Sequence, residues 1–215
     1  SNRFVINENY AVHVPTNLPL DGVAPLLCAG ITLYSPIKHW KVTKGTKVAV
    51  MGLGGLGHMG VKFAVSMGAE VTMLSTSPSK ENDAKMLGAH HFALSTDKEQ
   101  MKALRGQFDF ILNTVAAKYD LNKFLDLLTV EGKMLLVGIP PEDNELGSAK
   151  LISRRRSIIG SNVGGIAETQ EMLDYCAEHN ILSDVEMIQM KDINEAYTRI
   201  SNSDVTYRFV IDMAS

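Results

Sequence analysis

Long apolar runs are what this 215-residue sequence most conspicuously lacks. Its longest uncharged apolar stretch, Val48 to Val61, is too short to span a bilayer and is broken by glycines. No membrane association is expected. Cysteine is scarce: Cys28 and Cys176 stand far apart, which excludes a disulfide framework and points to a reducing, cytoplasmic setting. Neither sign of charge prevails, with 21 Lys and Arg against 24 Asp and Glu and a net charge of −3. That balance gives no electrostatic reason to expect nucleic acid or an anionic membrane as a partner. The one basic cluster, Arg154-Arg155-Arg156, reads as a solvated approach to a strand. Repeats and low-complexity segments are absent. Arg3, Glu8 and Pro15 occupy positions where a signal peptide would be basic and then apolar, so none is expected. Ser1-Asn2 reads as an expression scar.

What is present is alternation. Short apolar runs begin at Lys47, Glu70, His91, Phe108, Lys133 and Ser157, and helical patterns intervene at Gly57 to Met67, Asn82 to Leu87 and Leu121 to Leu128. Strands rich in Val, Ile and Leu suit a sheet covered on both faces. Alternating with helices, they predict an α/β fold of the Rossmann type, a doubly wound parallel sheet of six strands. Residues 1–27 read as an extended lead-in and 28–162 as the dinucleotide-binding domain. Residues 163–215 read as a returning segment with helices near Glu168 to Glu178 and Ile193 to Ile200 and strands at Val185 and Tyr207. Periodicity does not decide whether those last strands extend the main sheet.

The run Gly52-Leu53-Gly54-Gly55-Leu56-Gly57 lies between the first strand and the first helix, the context that G-x-G-x-x-G requires. Gly52 permits the tight turn, Gly54 lets backbone approach a pyrophosphate, and Gly57 lets helix and strand pack closely. The helix N-terminus then faces the phosphates with free N–H groups and the positive end of its dipole. A dinucleotide is the expected ligand; a packing turn that binds nothing is the bland alternative. The second strand ends in Ser75-Thr76-Ser77-Pro78-Ser79-Lys80, with no acid before Glu81. A carboxylate there would serve the ribose hydroxyls of NAD. Hydroxyls and an ammonium instead suit the 2′-phosphate of NADP(H), with Ser75, Thr76, Ser77 and Lys80 as its expected contacts. The same residues also read as a turn capping the next helix.

Cys28, taken alone, reads as a buried structural thiol. Four ordered motifs alter that reading: PLLCAGITLYSP around Cys28, GLGGLGHMGVK from Gly52, STSPSK from Ser75 and DVTYRFVID from Asp204. Together, from about Tyr10 to the last strand, they resemble the cinnamyl alcohol dehydrogenase branch of the zinc-containing medium-chain alcohol dehydrogenases. The resemblance implies that Cys28 is a ligand of a catalytic Zn2+ and that Thr32 lies against the nicotinamide. It implies cofactor contacts at Thr114 and Gly138 after the fourth and fifth strands, at Ser161, Asn162 and Val163, and at Arg208. Asn113 departs from the family, which usually has Asp there.

The resemblance further implies a homodimer paired through the sixth-strand edge and reversible hydride transfer between aldehydes and primary alcohols. The family's GroES-like domain supplies the remaining zinc ligands and the proton relay, and its motifs do not occur in this sequence. The adjacent His90 and His91 are expected on opposite faces of a strand, unable to share a metal, and Cys176 reads as a packing residue. The chain is therefore expected to be a truncated piece that binds NADP(H) without oxidising alcohols or retaining zinc tightly. The competing readings are a zinc-free reductase of the quinone-reductase kind, against which Cys28 argues, and a non-catalytic NADP(H)-binding sensor.

Overall fold

Eight strands and nine α-helices are found among the residues described by the computed structural model, 3–202 and 204–213. Ser1-Asn2 lie outside them. The chain divides into two compact units: one runs from Pro36 to Asn162, and the other joins the residues up to Ser35 with those from Val163 onward.

The Pro36–Asn162 unit is built on β1 (Lys47–Met51), β2 (Glu70–Ser75), β3 (His91–Leu94), β4 (Phe108–Asn113), β5 (Leu128–Leu136) and β6 (Ser157–Gly160). All five pairings are parallel and the strand order is β3-β2-β1-β4-β5-β6. This is the doubly wound order, reversing beside β1 and so leaving a crevice at the carboxyl ends of β1 and β4. β1 is buried at four of its five positions and β2 at five of six, as central strands covered on both faces require. Helices α3 (Gly57–Ser66), α4 (Glu81–Met86), α5 (Lys98–Ala103), α6 (Leu121–Leu125) and α7 (Ala149–Ile152) fill the crossovers.

Three elements here differ from the sequence reading. α7 is an additional short helix. So is α5, mostly polar and without a periodic apolar face, with Met101 packed against the core. Asp97 caps it, accepting from the amides of Glu99 (2.9 Å) and Gln100 (3.1 Å). β5 starts five residues before Lys133, because Glu131 adopts a left-handed φ of 63° and the pairing with β4 shifts register there instead of ending.

In the other unit, the lead-in is not simply extended. It carries 3-10 turns at Glu8–Tyr10 and Ala24–Leu27 and a short α1 (Leu20–Val23). The unanticipated α2 (Ala29–His39) follows, and the unit boundary falls within it, after Ser35. α8 (Ile166–His179) packs beside the first turns of α2: Tyr34 donates from its hydroxyl to Glu171 (3.0 Å), and Ser35 to Glu168 (3.1 Å). Burial and the neighbouring Glu171 carboxylate hold the Tyr34 proton well above the ordinary phenol range. Beyond α8, β7 (Val185–Ile188) and β8 (Arg208–Ile211) flank α9 (Ile193–Ser201) and pair with each other in parallel. They do not extend the six-stranded sheet.

Candidate functional site

The turn after β1 is tightly constrained backbone. Gly52 has a φ of +87°, a conformation that L side chains rarely adopt, and its amide donates to the Leu74 carbonyl at 3.1 Å. A Cβ on Gly57 would stand 1.8 Å from the Gly52 carbonyl oxygen, so only glycine lets α3 start this close to the strand. Gly54 is the opposite case. It is exposed, and a Cβ there would meet nothing within 4 Å. Open space therefore lies above Gly54 while the backbone around it is tightly set. Among the described residues, no protein acceptor pairs with the amides of Gly54, Gly55 or Leu56. A diphosphate fits such a cradle: unpaired donors at a helix N-terminus, with no side chain in the way.

Thr114, at the end of β4, donates its hydroxyl to the Met51 carbonyl (2.7 Å), with the Gly52 carbonyl also near (3.1 Å). This bond ties β4 to the turn itself. Asn113 is buried and satisfied, donating to the Tyr119 hydroxyl and accepting from the Val115 amide (3.0 Å). Gly138 follows β5, and a Cβ there would stand 2.3 Å from the Val115 carbonyl oxygen. Close passage of two backbones is sufficient reason for glycine at that position.

The polar turn after β2 brings together Ser75, Thr76, Ser77 and Lys80. Ser75 is buried, and its hydroxyl accepts from the Ser77 amide (3.1 Å); the hydroxyls of Ser77 and Ser79 are 2.8 Å apart. Neither Ser77 nor Lys80, the residues at the helical N-caps here, makes a side-chain capping bond, so capping α4 is not what these residues do. Thr76 is exposed, and Lys80 is half-buried with its ammonium 3.5 Å from Asp83. Ser161 and Asn162 close this unit just beyond β6, where the Ser161 amide donates to the Leu136 carbonyl (3.3 Å).

In the other unit lie Cys28, Thr32, Val163 and Arg208. Cys28 is exposed, at the junction of the Ala24–Leu27 turn with α2, so it is not the buried thiol that its residue type alone suggests. One helical turn on, the buried Thr32 donates its amide to the Cys28 carbonyl (3.1 Å). Val163 is exposed. Arg208 has a buried Nε with no hydrogen-bond partner among the described residues, an orphaned donor of the kind that an anionic ligand satisfies. Cys176 is fully buried beside Met172, and burial pushes its thiol up to about 12.

No group of three or more His, Cys, Asp or Glu able to hold a metal occurs among the described residues. Cys28 offers a single donor where a catalytic zinc takes three from protein. These residues do not by themselves fit a zinc ion, and no zinc-dependent step follows from them. His90 accepts from the Val71 amide (3.0 Å), while the His91 ring lies 3.0 Å from the Glu70 carboxylate; the two rings have separate partners.

A family model described as "Zinc-binding dehydrogenase" matches residues 55–178. The chain belongs to that family. Among its curated relatives are NADP-dependent alcohol dehydrogenase C of Mycobacterium bovis and alcohol dehydrogenase 9 of Catharanthus roseus, each 52% identical across all of this chain. Among solved structures, a cinnamyl alcohol dehydrogenase of Sorghum bicolor superposes with a TM-score of 0.96 at 44% identity. A CAD of Helicobacter pylori complexed with NADP(H) does so at 0.89 and 46%, and each alignment covers 98% of this chain and 60% of the other. The resemblance first seen in four short motifs thus extends along the whole of this chain. This chain spans about 60% of the length of the relatives it matches. No single helix among the described residues is long and apolar enough to cross a membrane.

Proposed function

We propose that this chain is the NADP(H)-binding portion of a zinc-dependent alcohol dehydrogenase that reversibly reduces aldehydes to primary alcohols. The observation that carries the proposal is the turn from Gly52 to Gly57, closed by sterics at both ends and open over Gly54. Its unpaired amides receive the pyrophosphate. The 2′-phosphate goes to the hydroxyls of Ser75, Thr76 and Ser77 and to the Lys80 ammonium, because that turn presents donors and a cation where an NAD site would present a carboxylate. The NADP-dependence in the name of the Mycobacterium bovis relative and the NADP(H) of the Helicobacter pylori structure support this choice.

The bound nicotinamide supplies or accepts the hydride, and this chain's residues bind, orient and shield it. Thr114 and Gly138 serve chiefly by fixing the backbone around the turn. Ser161 and Asn162, and in the other unit Thr32, Val163 and Arg208, keep the cofactor roles that the family resemblance implies. Cys28 is one ligand of a zinc whose other ligands lie in a GroES-like domain of the longer protein. Residues 28–162 act as the cofactor domain, with 1–27 and 163–215 belonging to the catalytic domain. The intact protein is a cytoplasmic homodimer paired through the β6 edge, acting on small alcohols and aldehydes. The chain by itself binds cofactor without catalysis.

Titration of the chain with NADPH and NADH tests the reading. NADPH is expected to bind at least about tenfold more tightly, and Lys80→Ala to erase most of that margin while leaving NADH unchanged. Equal or tighter NADH binding by the unaltered chain overturns the assignment of Ser75 to Lys80. Zinc-dependent aldehyde reduction by this chain alone overturns the claim that it only binds.

A further inference from the structure

The connections leading into β4, β5 and β6 contain Arg105-Gly106, Asp126 and Arg154-Arg155-Arg156. Because the six strands run the same way, these residues gather where strands begin, at the opposite edge from the turn that leaves β1. They line an open surface pocket of about 370 Å³, formed by Arg105, Asp126, Lys150, Ser153, Arg154 and Arg156. Four cations thus face one carboxylate, in a chain whose net charge is −3.

That carboxylate is already engaged. Lys150 Nζ stands 2.8 and 2.7 Å from the two Asp126 oxygens, and Arg156 approaches to 3.8 Å. Arg156 is buried and donates to the carbonyls of Leu128, Lys150 and Asp126, which corrects the expectation that the whole triplet is solvated. Arg155 is exposed and pairs with Glu131 at 3.2 Å. Two guanidinium groups remain in surplus. Arg105 reaches Asp126 only at 4.0 Å, and Arg154 has no hydrogen-bond or ion-pair acceptor among the described residues. Arg154 is exposed and passes over Gly106: its Nη1 lies 2.9 Å from where a Cβ there would stand, and Gly106 holds a φ of +66° that favours glycine. Burial chiefly, and the nearby Arg154 charge as well, lower the Arg156 pKa, while Asp126 acts the other way.

We propose that this pocket is a binding site for a phosphate group, free or as the monoester of a small molecule, held by Arg154 and Arg105 with the Ser153 hydroxyl. Planar guanidinium forks match phosphate oxygens two at a time. The pocket is open to solvent, so an ester's organic part meets no wall that would exclude it. The site does not depend on the cofactor assignment.

Thermal unfolding of the whole chain, with inorganic phosphate in one arm and glycerol phosphate in the other, tests the proposal against sodium chloride at equal ionic strength. A midpoint rise beyond that of chloride is expected. If inorganic phosphate gives the larger rise the ligand is free phosphate, and if glycerol phosphate does it is an ester. Arg154→Ala is expected to weaken the anion at least about tenfold without lowering the midpoint in its absence, and Arg105→Ala to weaken it less. Arg155→Ala, the exposed neighbour paired with Glu131 and outside the pocket lining, should leave the phosphate-induced rise intact. No rise beyond chloride, an equal rise in Arg154→Ala, or loss of the rise in Arg155→Ala overturns the proposal.

Discussion

The two edges of the six-stranded sheet meet charge with different materials. Where β1 ends, there are glycines and backbone amides, and the side-chain bonds there, from Thr114 and the His58 ring, go to carbonyls of the turn. Where β4, β5 and β6 begin, there are long charged side chains, some consumed by carbonyls and Asp126 and some left over. A backbone cradle is rigid and tolerates little change in its own atoms. A side-chain cluster gives charge at a distance from the backbone and can lose a member without rebuilding the strand beneath it, unless that member also satisfies buried carbonyls.

This contrast breaks most sharply at Gly57. Gly57→Ala forces a Cβ to within 1.8 Å of a carbonyl oxygen, so the turn must move. Denaturant unfolding should show a loss of more than about 3 kcal/mol, with NADPH binding abolished. A stable variant that binds normally would mean the cradle is softer than its geometry implies. At the other edge, Arg156→Met strips the donors from the Leu128 carbonyl and its neighbours, and a loss of about 2–3 kcal/mol is expected. NADPH affinity of the folded variant should stay unchanged; a fall would show that the two edges are coupled. Gly54→Ala should have the smallest effect on stability, within about 0.5 kcal/mol, because the added methyl meets nothing. It should still weaken NADPH about tenfold by standing where the phosphates approach, and unchanged affinity would remove the pyrophosphate from this turn.

Much of the sheet was legible because strands buried on both faces have a plain signature: Val48 to Met51 and Val71 to Ser75 are apolar or small at every position or nearly so. The glycine turn was legible for a related reason, since steric need at Gly52 and Gly57 restricts the residue type itself. α5 was missed because Lys98–Ala103 shows no apolar face, although Asp97 followed three residues later by Gln100 was a usable capping signal. α2 was obscured by Pro36, a residue that ordinarily ends or kinks a helix, standing within it. The arginine triplet marks a firmer limit. Three identical neighbours met three different fates, and the carbonyls of Leu128, Lys150 and Asp126 decide which side chain turns inward. In the same way, nothing in residue type alone separates the exposed Cys28 from the fully buried Cys176.

The unit containing Cys28 is stitched from two distant stretches. The His13 amide donates to the Gln170 side chain (2.7 Å), and Asn17 donates to the Ala177 carbonyl (3.0 Å), across 157 and 160 residues of sequence. The 127 residues from Pro36 to Asn162 come between the two stretches. At ribosomal speeds of about 5–20 residues per second, the first stretch waits roughly 6 to 25 s for its partner. Through that interval the inserted unit has all it needs to fold, while Leu18, Val23 and Leu26 have no core to enter. The nascent chain is therefore exposed to chaperones and proteases along the stretch up to Ser35 until the residues from Val163 onward emerge to cover it.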